Sequence, residues 1–291
     1  MKTRFIVNLR SGRAQNALPA VRAFAARRNA DVILTERARH ACELAAAALA
    51  DDCELIVAVG GDGTMNEVAS ALIDTPAALG LVPCGSGDGL GRHLGIHGST
   101  AHALRLLEAG TVRLIDTGIA DGHPFFTVAG IGFEAEIAQR FNALRRRGFM
   151  RYLSTSARVF RQWKPAIYTV THPGGQDQIR AFTLAVANSD QYGNNAIITP
   201  GARADDGLLD LCGIPPVTFF NAAALTTRLF TGTLHRQPGV YLRRAAQFTI
   251  ERSSAGPLHT DGEIHQAGAV IEFSIRPKSL RVMAPSPQRL R

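Results

Sequence analysis

The sequence predicts an α/β protein of two domains: a parallel sheet with helices on both faces, followed by a mainly antiparallel β-sandwich. Three observations predict it. Up to Gly118, short apolar runs alternate with stretches of helical spacing, which is how a parallel sheet covered on both faces is written. After Gly118 the pattern changes to β-runs joined by turn residues. The chain has 291 residues, the length of one large domain or two ordinary ones.

The elements follow in order. "RFIVN" reads as the first strand, and Ala14, Leu18, Val21 and Ala25 then recur at helical spacing. "DVILT" is the second strand, followed by an Ala-rich helix near His40 to Ala50. "LIVAV" is the third, with a helix from about Thr64, and "ALGLVP" is the fourth. Thr100 to Ala109 reads as another helix. "DTGIADGHPFFTVAGIGF" then reads as a hairpin turning at Asp121-Gly122. A helical stretch is expected from Glu134 to about Trp163, and one more helix near Val217 to Leu229. The strands of the second half are "AIYTVTH", "RAFTLAVANS", "GLLDLCGI", "VYLRRAAQFTIER" and "AVIEFSIRP". The expected domains are residues 1–122 plus 276–291, and residues 123–275.

Hydrophobic residues make up 46% of the chain, enough for a packed core. No apolar run approaches the ~18 residues that span a bilayer, and the N-terminus lacks the pattern of a signal peptide. A cytoplasmic protein is expected. Cys42, Cys53, Cys84 and Cys212 are scattered without a CxxC pair, which fits reduced thiols rather than a zinc site. The formal charge of +8 favours anionic partners: nucleic acid, nucleotide phosphates or acidic lipid surfaces.

The chemistry concentrates in "LIVAVGGDGTMNEVAS". A buried strand ends at Gly60, Gly61 and Gly63 and leads into a helix N-terminus, where free N–H groups and the helix dipole favour a phosphate. Asp62 sits on that turn. A carboxylate beside phosphates makes sense with a divalent cation between them, or if it holds an attacking hydroxyl. Thr64 and Glu67 have capping-box spacing, and taken singly they read as helix caps. A second turn, "PCGSGDGLGRHLGI", carries Gly85 and the hydroxyl of Ser86. Asn8, Ser11 and Gly12 follow the first strand, and Thr35 follows the second. Four strand ends thus supply hydroxyls, amides and glycines to one edge of the sheet, which reads as a nucleotide cleft.

These stretches resemble the diacylglycerol kinase catalytic-domain family, which includes sphingosine and ceramide kinases and bacterial soluble lipid kinases. "GGDGTMNEV" resembles its GGDGT-x-NEV signature, "VNLRSG" its NPxSG turn and "PCGSGDGLGRHLGI" its P-x-GT/GS-x-N segment. "PGARADDGLLDL" is similar to its DDG stretch, and "HTDGE" to its DGE motif. The resemblance implies a nucleotide domain and a β-rich domain with the nucleotide in the cleft between them. It implies ATP-dependent phosphorylation of a lipid hydroxyl, with diacylglycerol first and a sphingoid base second.

By position, the resemblance implies that Gly60, Gly61, Asp62, Gly63, Thr64, Met65, Asn66 and Glu67 bind ATP. Thr35, Gly85 and Ser86 join them, and Asn8, Ser11 and Gly12 assist. Glu263 would be the catalytic base, with Asp62 beside the γ-phosphate. A structural Mg²⁺ would sit on the DDG turn, held by the Asp206 carboxylate and the carbonyls of Arg203 and Leu208. Three positions depart from the family pattern: Leu9 for proline, Asp88 for asparagine and Gly91 for alanine. Asp88 adds negative charge near the phosphates, which Mg²⁺ or Arg92 would have to offset.

Arg140 to Lys164 carries eight positive charges interleaved with aromatic residues and no acidic residue. It reads equally as a membrane-surface segment or as packed helices with a basic outer face. Expected partners are a lipid substrate and an anionic membrane surface, with no nucleic acid; a homodimer is left open. A metabolite kinase of the NAD-kinase type and a nucleotide-binding regulatory protein are the competing readings.

Overall fold

The computed structural model describes residues 1–142 and 159–285. The chain divides into two compact units: residues 1–117, 193–195 and from Pro277 onward form the first, and residues 118–192 and 196–276 the second.

The first unit is built on β1 (Thr3–Val7), β2 (Asp31–Leu34), β3 (Leu55–Gly60) and β4 (Ala78–Pro83), in the order β2-β1-β3-β4. All are parallel, in registers such as Phe5 opposite Val57 and Val57 opposite Gly80. The last part of β18 (Val270–Ala284) adds a further parallel strand, with Val282 opposite Leu79. Every residue of β1, β3 and β4 is buried, whereas the edge strand β2 is half-exposed. Burial along whole strands requires cover on both faces, and helices supply it. α1 (Ala14–Ala26) packs with α5 (Thr100–Ala109), and α2 (His40–Ala50) with α3 (Asp62–Leu72).

The buried stripe of α1 is Ala14, Ala17, Val21, Phe24 and Ala25, so Leu18 lies beside the stripe rather than within it. The Phe24 ring meets Phe5 of β1 edge-on at 6.0 Å. Side chains such as Ile6, Ile56 and Leu81 are fully buried, each contributing about 1.5–3 kcal/mol.

The second unit is a sandwich. One sheet is antiparallel and orders β14-β13-β10-β7-β16-β17. Its strands are β7 (Val128–Gly132), β10 (Thr183–Ala187), β13 (Leu209–Ile214), β14 (Tyr241–Ala245), β16 (Gly256–Thr260) and β17 (Glu263–Ala267). The other pairs β18 with β15 (Gln247–Arg252), β8 (Ala166–His172) and β9 (Gly175–Ala181). Ile131, Leu184, Leu211 and Leu258 from the first sheet pack with Tyr168, Phe248, Ile250 and Phe273 from the second. A smaller core of Ala185, Cys212 and Ile214 is covered by Leu225 of α7 (Phe219–Thr231). Asp177 on β9 ties two sheet edges, accepting from Tyr241 at 2.6 Å, His172 at 3.1 Å and Arg243 at 3.1 Å. Those bonds, the Tyr241 hydroxyl first, hold its carboxyl down at about 2.

Several elements differ from the sequence reading: "RAFTLAVANS" begins in the end of β9, paired with β8, and continues as β10 in the other sheet. "VYLRRAAQFTIER" is two strands: β14 pairs with β13 in one sheet, and after Ala246 β15 pairs with β18 and β8 in the other. β5 (Thr111–Ala120) starts well before the expected hairpin; its first four residues, Thr-Val-Arg-Leu, alternate polar and apolar yet are largely exposed. The helix expected over Glu134 to Trp163 is α6 (Phe133–Asn142) at its start, and residues 143–158, most of the basic segment, lie outside the described residues. The hairpin at Asp121-Gly122 forms as read, between β5 and β6 (His123–Phe125), with both turn residues at positive φ.

Candidate functional site

In the first unit, three turns at the carboxyl ends of parallel strands meet. The turn after β1 carries Asn8, Ser11 and Gly12. The Gly61 amide donates to Ser11 Oγ at 2.6 Å, and the Arg13 amide to the Cys84 carbonyl at 2.9 Å. Gly12 has φ +48°, and a Cβ there would lie 2.0 Å from the Cys84 oxygen. A side chain is therefore excluded both by conformation and by space. Gly61 and Gly85 also touch, since a Cβ on Gly85 would lie 2.9 Å from the Gly61 Cα. Thr35 stands at the same end of β2, its amide donating to the Val7 carbonyl.

Asp62 links two of these turns. Its Oδ2 accepts from the Asp88 amide at 2.9 Å and its Oδ1 from the Gly89 amide at 2.8 Å. Asp88 is buried, and its Oδ1 accepts from the Gly85 amide at 3.0 Å. Burial raises the Asp88 pKa above its ordinary value, and the nearby Asp62 charge adds to the rise. The Gly85 amide, Arg92 and Arg13 act the other way. Arg92 itself donates to the Gly87 carbonyl at 2.8 Å and to Asn195 Oδ1 at 2.6 Å. The offset for Asp88 thus comes from two guanidinium groups, of which Arg13 was not singled out from sequence. Its signal was available: a second arginine just beyond the "NLRSG" turn.

Thr64 and Glu67 do not cap α3. Its N-cap is Gly61, without a side-chain cap. Thr64 is buried and its Oγ1 accepts from Asn8 Nδ2 at 3.0 Å. Glu67 accepts from the amides of Arg39 at 3.1 Å and Ala41 at 3.0 Å, so it caps the neighbouring helix α2. The Met65 side chain is buried in the core. Thr64, Met65 and Glu67 are therefore engaged through their side chains in holding the first unit together.

Two features fit a triphosphate, and two further polar groups lie on α3 and on the second turn. The α3 N-terminus has no side-chain cap, so its first amides face outward. Around Gly63 there is open space, with no atom within 4 Å of an added Cβ. Asn66 Oδ1 is buried without a hydrogen-bond partner. Ser86 is exposed at the tip of the second turn.

In the second unit the Asp-Gly-Glu segment is a hairpin turn between β16 and β17, with Asp261 and Gly262 at positive φ. Asp261 does more than turn the chain. Its carboxylate accepts from the amides of Phe126 at 2.7 Å, Thr127 at 2.9 Å and Val128 at 2.9 Å, and from the Thr127 hydroxyl. Burial pushes its pKa up, opposed by those bonds. Glu263 opens β17, paired in register with Thr260, and is exposed. His265, two residues on, stacks on His123 at 3.7 Å between ring centroids and bonds Thr260 Oγ1 at 2.8 Å.

The DDG turn is also in this unit. Asp206 Oδ1 accepts from the Leu208 amide at 3.1 Å, and its Oδ2 faces the Arg244 guanidinium. Arg244 Nε lies 3.0 Å from Asp210 Oδ1. Arg203 pairs with Asp205 at 3.1 Å. The Mg²⁺ expected on Asp206 and on the carbonyls of Arg203 and Leu208 does not fit this arrangement, because a guanidinium already faces the carboxylate. Among the described residues no group of three or more His, Cys, Asp or Glu side chains could hold a metal ion. No helix among them is long and apolar enough to cross a membrane.

Comparison with known proteins matches both units. The diacylglycerol kinase catalytic domain model matches residues 2–120. The YegS C-terminal NAD kinase beta sandwich-like domain model matches residues 127–284. A "Probable lipid kinase YegS-like" of Pseudomonas fluorescens is 32% identical over 89% of this chain and 87% of its own length. A relative of the same description from Pseudomonas aeruginosa is 32% identical over 82% of this chain and 79% of its own. A solved diacylglycerol kinase from Bacillus anthracis shares the fold at a TM-score of 0.74 and 19% identity, covering 98% of this chain and 97% of that one. An NAD kinase from Archaeoglobus fulgidus, solved in complex with ATP, shares it at 0.59 and 15%, covering 98% and 94%. These matches define a kinase with an α/β catalytic unit and a β-sandwich unit. The chain belongs to the YegS-like branch of the diacylglycerol kinase catalytic-domain family.

Proposed function

We propose that this kinase transfers the γ-phosphoryl group of ATP to the hydroxyl of a lipid alcohol, with diacylglycerol the first candidate. The observation that carries the reading is the uncapped α3 N-terminus beside open space at Gly63, framed by glycine turns from neighbouring strands. The amides of Asp62 and Gly63 would hold phosphate oxygens, with Ser86 and Thr35 along the same edge. Asn66 would offer its acceptor to a nucleotide donor. Asp62 would keep the two turns at their spacing, and each of its oxygens retains a second acceptor position that would serve a water or a cation carried by the triphosphate. Mg²⁺ would enter as the partner of the triphosphate and neutralise charge on it. Glu263, exposed at the start of β17, would take the proton of the attacking hydroxyl as the oxygen bonds to the γ-phosphorus and the bond to ADP breaks.

The lipid half of the reading rests on the names of the relatives and on the surface of the second unit. Phe220 on α7 is 93% exposed, and Phe230 on the same helix is 53% exposed. Aromatic residues on an outer helix, with a net charge of +8 on the chain, suit an anionic membrane surface. The basic stretch 143–158 would add to that attraction by its sequence alone.

A transfer assay with γ-labelled ATP and a panel of lipid alcohols in mixed micelles tests the reading. Label in an organic-extractable product is expected, strongest with diacylglycerol. Label on NAD, or ATP binding without transfer to any lipid, overturns it. On anionic vesicles Phe220→Ser is expected to lower the rate without changing it in detergent micelles. An equal effect in both would remove the helix from membrane docking.

A further inference from the structure

We propose that the Arg244 guanidinium holds the DDG turn of the second unit in place of a divalent cation, so that this turn needs no metal. The inference goes beyond the proposed reaction and does not depend on it.

The geometry lies within one unit. β13 and β14 pair antiparallel, with Asp210 directly opposite Arg244. From that position Nε reaches Asp210 Oδ1 at 3.0 Å, and Nη2 reaches Asp206 Oδ2. The guanidinium therefore bridges two carboxylates that are four residues apart in sequence. Asp206 Oδ1 is already an acceptor for the Leu208 amide at 3.1 Å, which fixes the carboxylate across the turn. Its other oxygen is the one a metal would use, and it faces Arg244.

A magnesium ion takes about six oxygen ligands in near-octahedral geometry at ~2.0–2.1 Å. At this turn the carboxylate oxygen it would need already faces a positive charge. A guanidinium suits the arrangement better, because its planar fork serves two carboxylates at once and stays charged at every working pH. It is also covalently tethered to the adjacent strand, so no equilibrium with free metal is involved. Asp210 Oδ2 remains buried without a partner, so the pair of acids is not fully neutralised. That leaves room for a cation if the arginine is removed.

The test uses the full chain without nucleotide, so metal carried by ATP does not enter. Wild type is expected to have the same Tm in EDTA as in millimolar MgCl₂, and to show no bound Mn²⁺ by electron paramagnetic resonance. Arg244→Ala is expected to lower Tm in EDTA by roughly 3 °C, the scale of about 1 kcal/mol in a protein of this size. It is also expected to gain one Mn²⁺ site, which Asp206→Asn then removes. Arg244→Gln, which keeps the length of the side chain, serves if the alanine variant does not fold. Three results overturn the proposal: one Mn²⁺ bound to wild type and lost in Asp206→Asn, an Arg244 variant as stable as wild type, or an Arg244 variant that gains no Mn²⁺ site. None of these readouts involves phosphoryl transfer, so failure here is separate from failure of the proposed reaction.

Discussion

Two aspartates, one in each unit, clamp backbone amides, and they do so to different depths. Asp62 accepts two amides, one on each oxygen, beside open space at Gly63 and a second acid, Asp88. Asp261 accepts three amides and a hydroxyl from Phe126 to Val128. The first clamp sets the spacing of two glycine turns and leaves lone pairs and room for a ligand. The second takes four donors, three of them on Oδ1, and fastens the hairpin that presents Glu263. A carboxylate taken up by four donors from one stretch of chain acts as a fastener; one with a single amide on each oxygen, next to space and uncapped amides, is available for binding.

This comparison can be broken at several points. The largest effect is expected where chemistry sits rather than where a clamp sits. Glu263→Gln is expected to lower turnover by about 10²–10⁴-fold while leaving ATP affinity unchanged, because only proton transfer is lost. Steady-state kinetics with a separate ATP-binding measurement checks this, and unchanged turnover would remove Glu263 from the base role.

Next comes the four-donor clamp. Asp261→Asn turns an acceptor-only group into one with two donors facing donors, and is expected to cost about 3 kcal/mol of stability. Denaturant unfolding measures it, and a loss below about 1 kcal/mol would mean that the hairpin is held by its strands alone.

The smallest effect is expected at the open clamp, and in the opposite direction. Asp88→Asn keeps an acceptor for the Gly85 amide and removes the charge beside Asp62. The folded-state pKa of Asp88 is raised, by burial first and by Asp62 second. Its ionised form is therefore disfavoured by folding, and that penalty develops as pH rises through the folded pKa and is absent in acid. The variant is expected to be more stable than wild type at pH 8 and no more stable near about pH 3. ATP binding is expected to tighten by about fivefold, the order expected for one unit charge removed near a triphosphate. Equal stability at both pH values, with no gain in affinity, would show that Arg13 and Arg92 already neutralise Asp88.

Much of the fold was legible because its signals are local. The parallel sheet follows from continuous apolar runs, and the Asp121-Gly122 hairpin from one dipeptide. The meeting of the glycine turns at one sheet edge was readable for the same reason. What escaped depends on partners distant in sequence. Glu67 looks like the cap of its own helix, yet it caps α2, whose amides precede it by 28 and 26 residues. Asp261 looks like an ordinary turn residue, yet its donors lie 133 to 135 residues upstream. The sheet switch at Ala246 was hidden because neither glycine nor proline interrupts "VYLRRAAQFTIER". The arginine opposite the DDG turn could not be paired with it before strand register was known.

Amide hydrogen exchange with and without ATP probes most directly whether the glycine turns grip a triphosphate. Slowed exchange is expected at residues 60–66 and 85–89, centred on the amides of Asp62 and Gly63. Saturating ATP that leaves those amides unchanged while protecting another part of the chain would contradict the account.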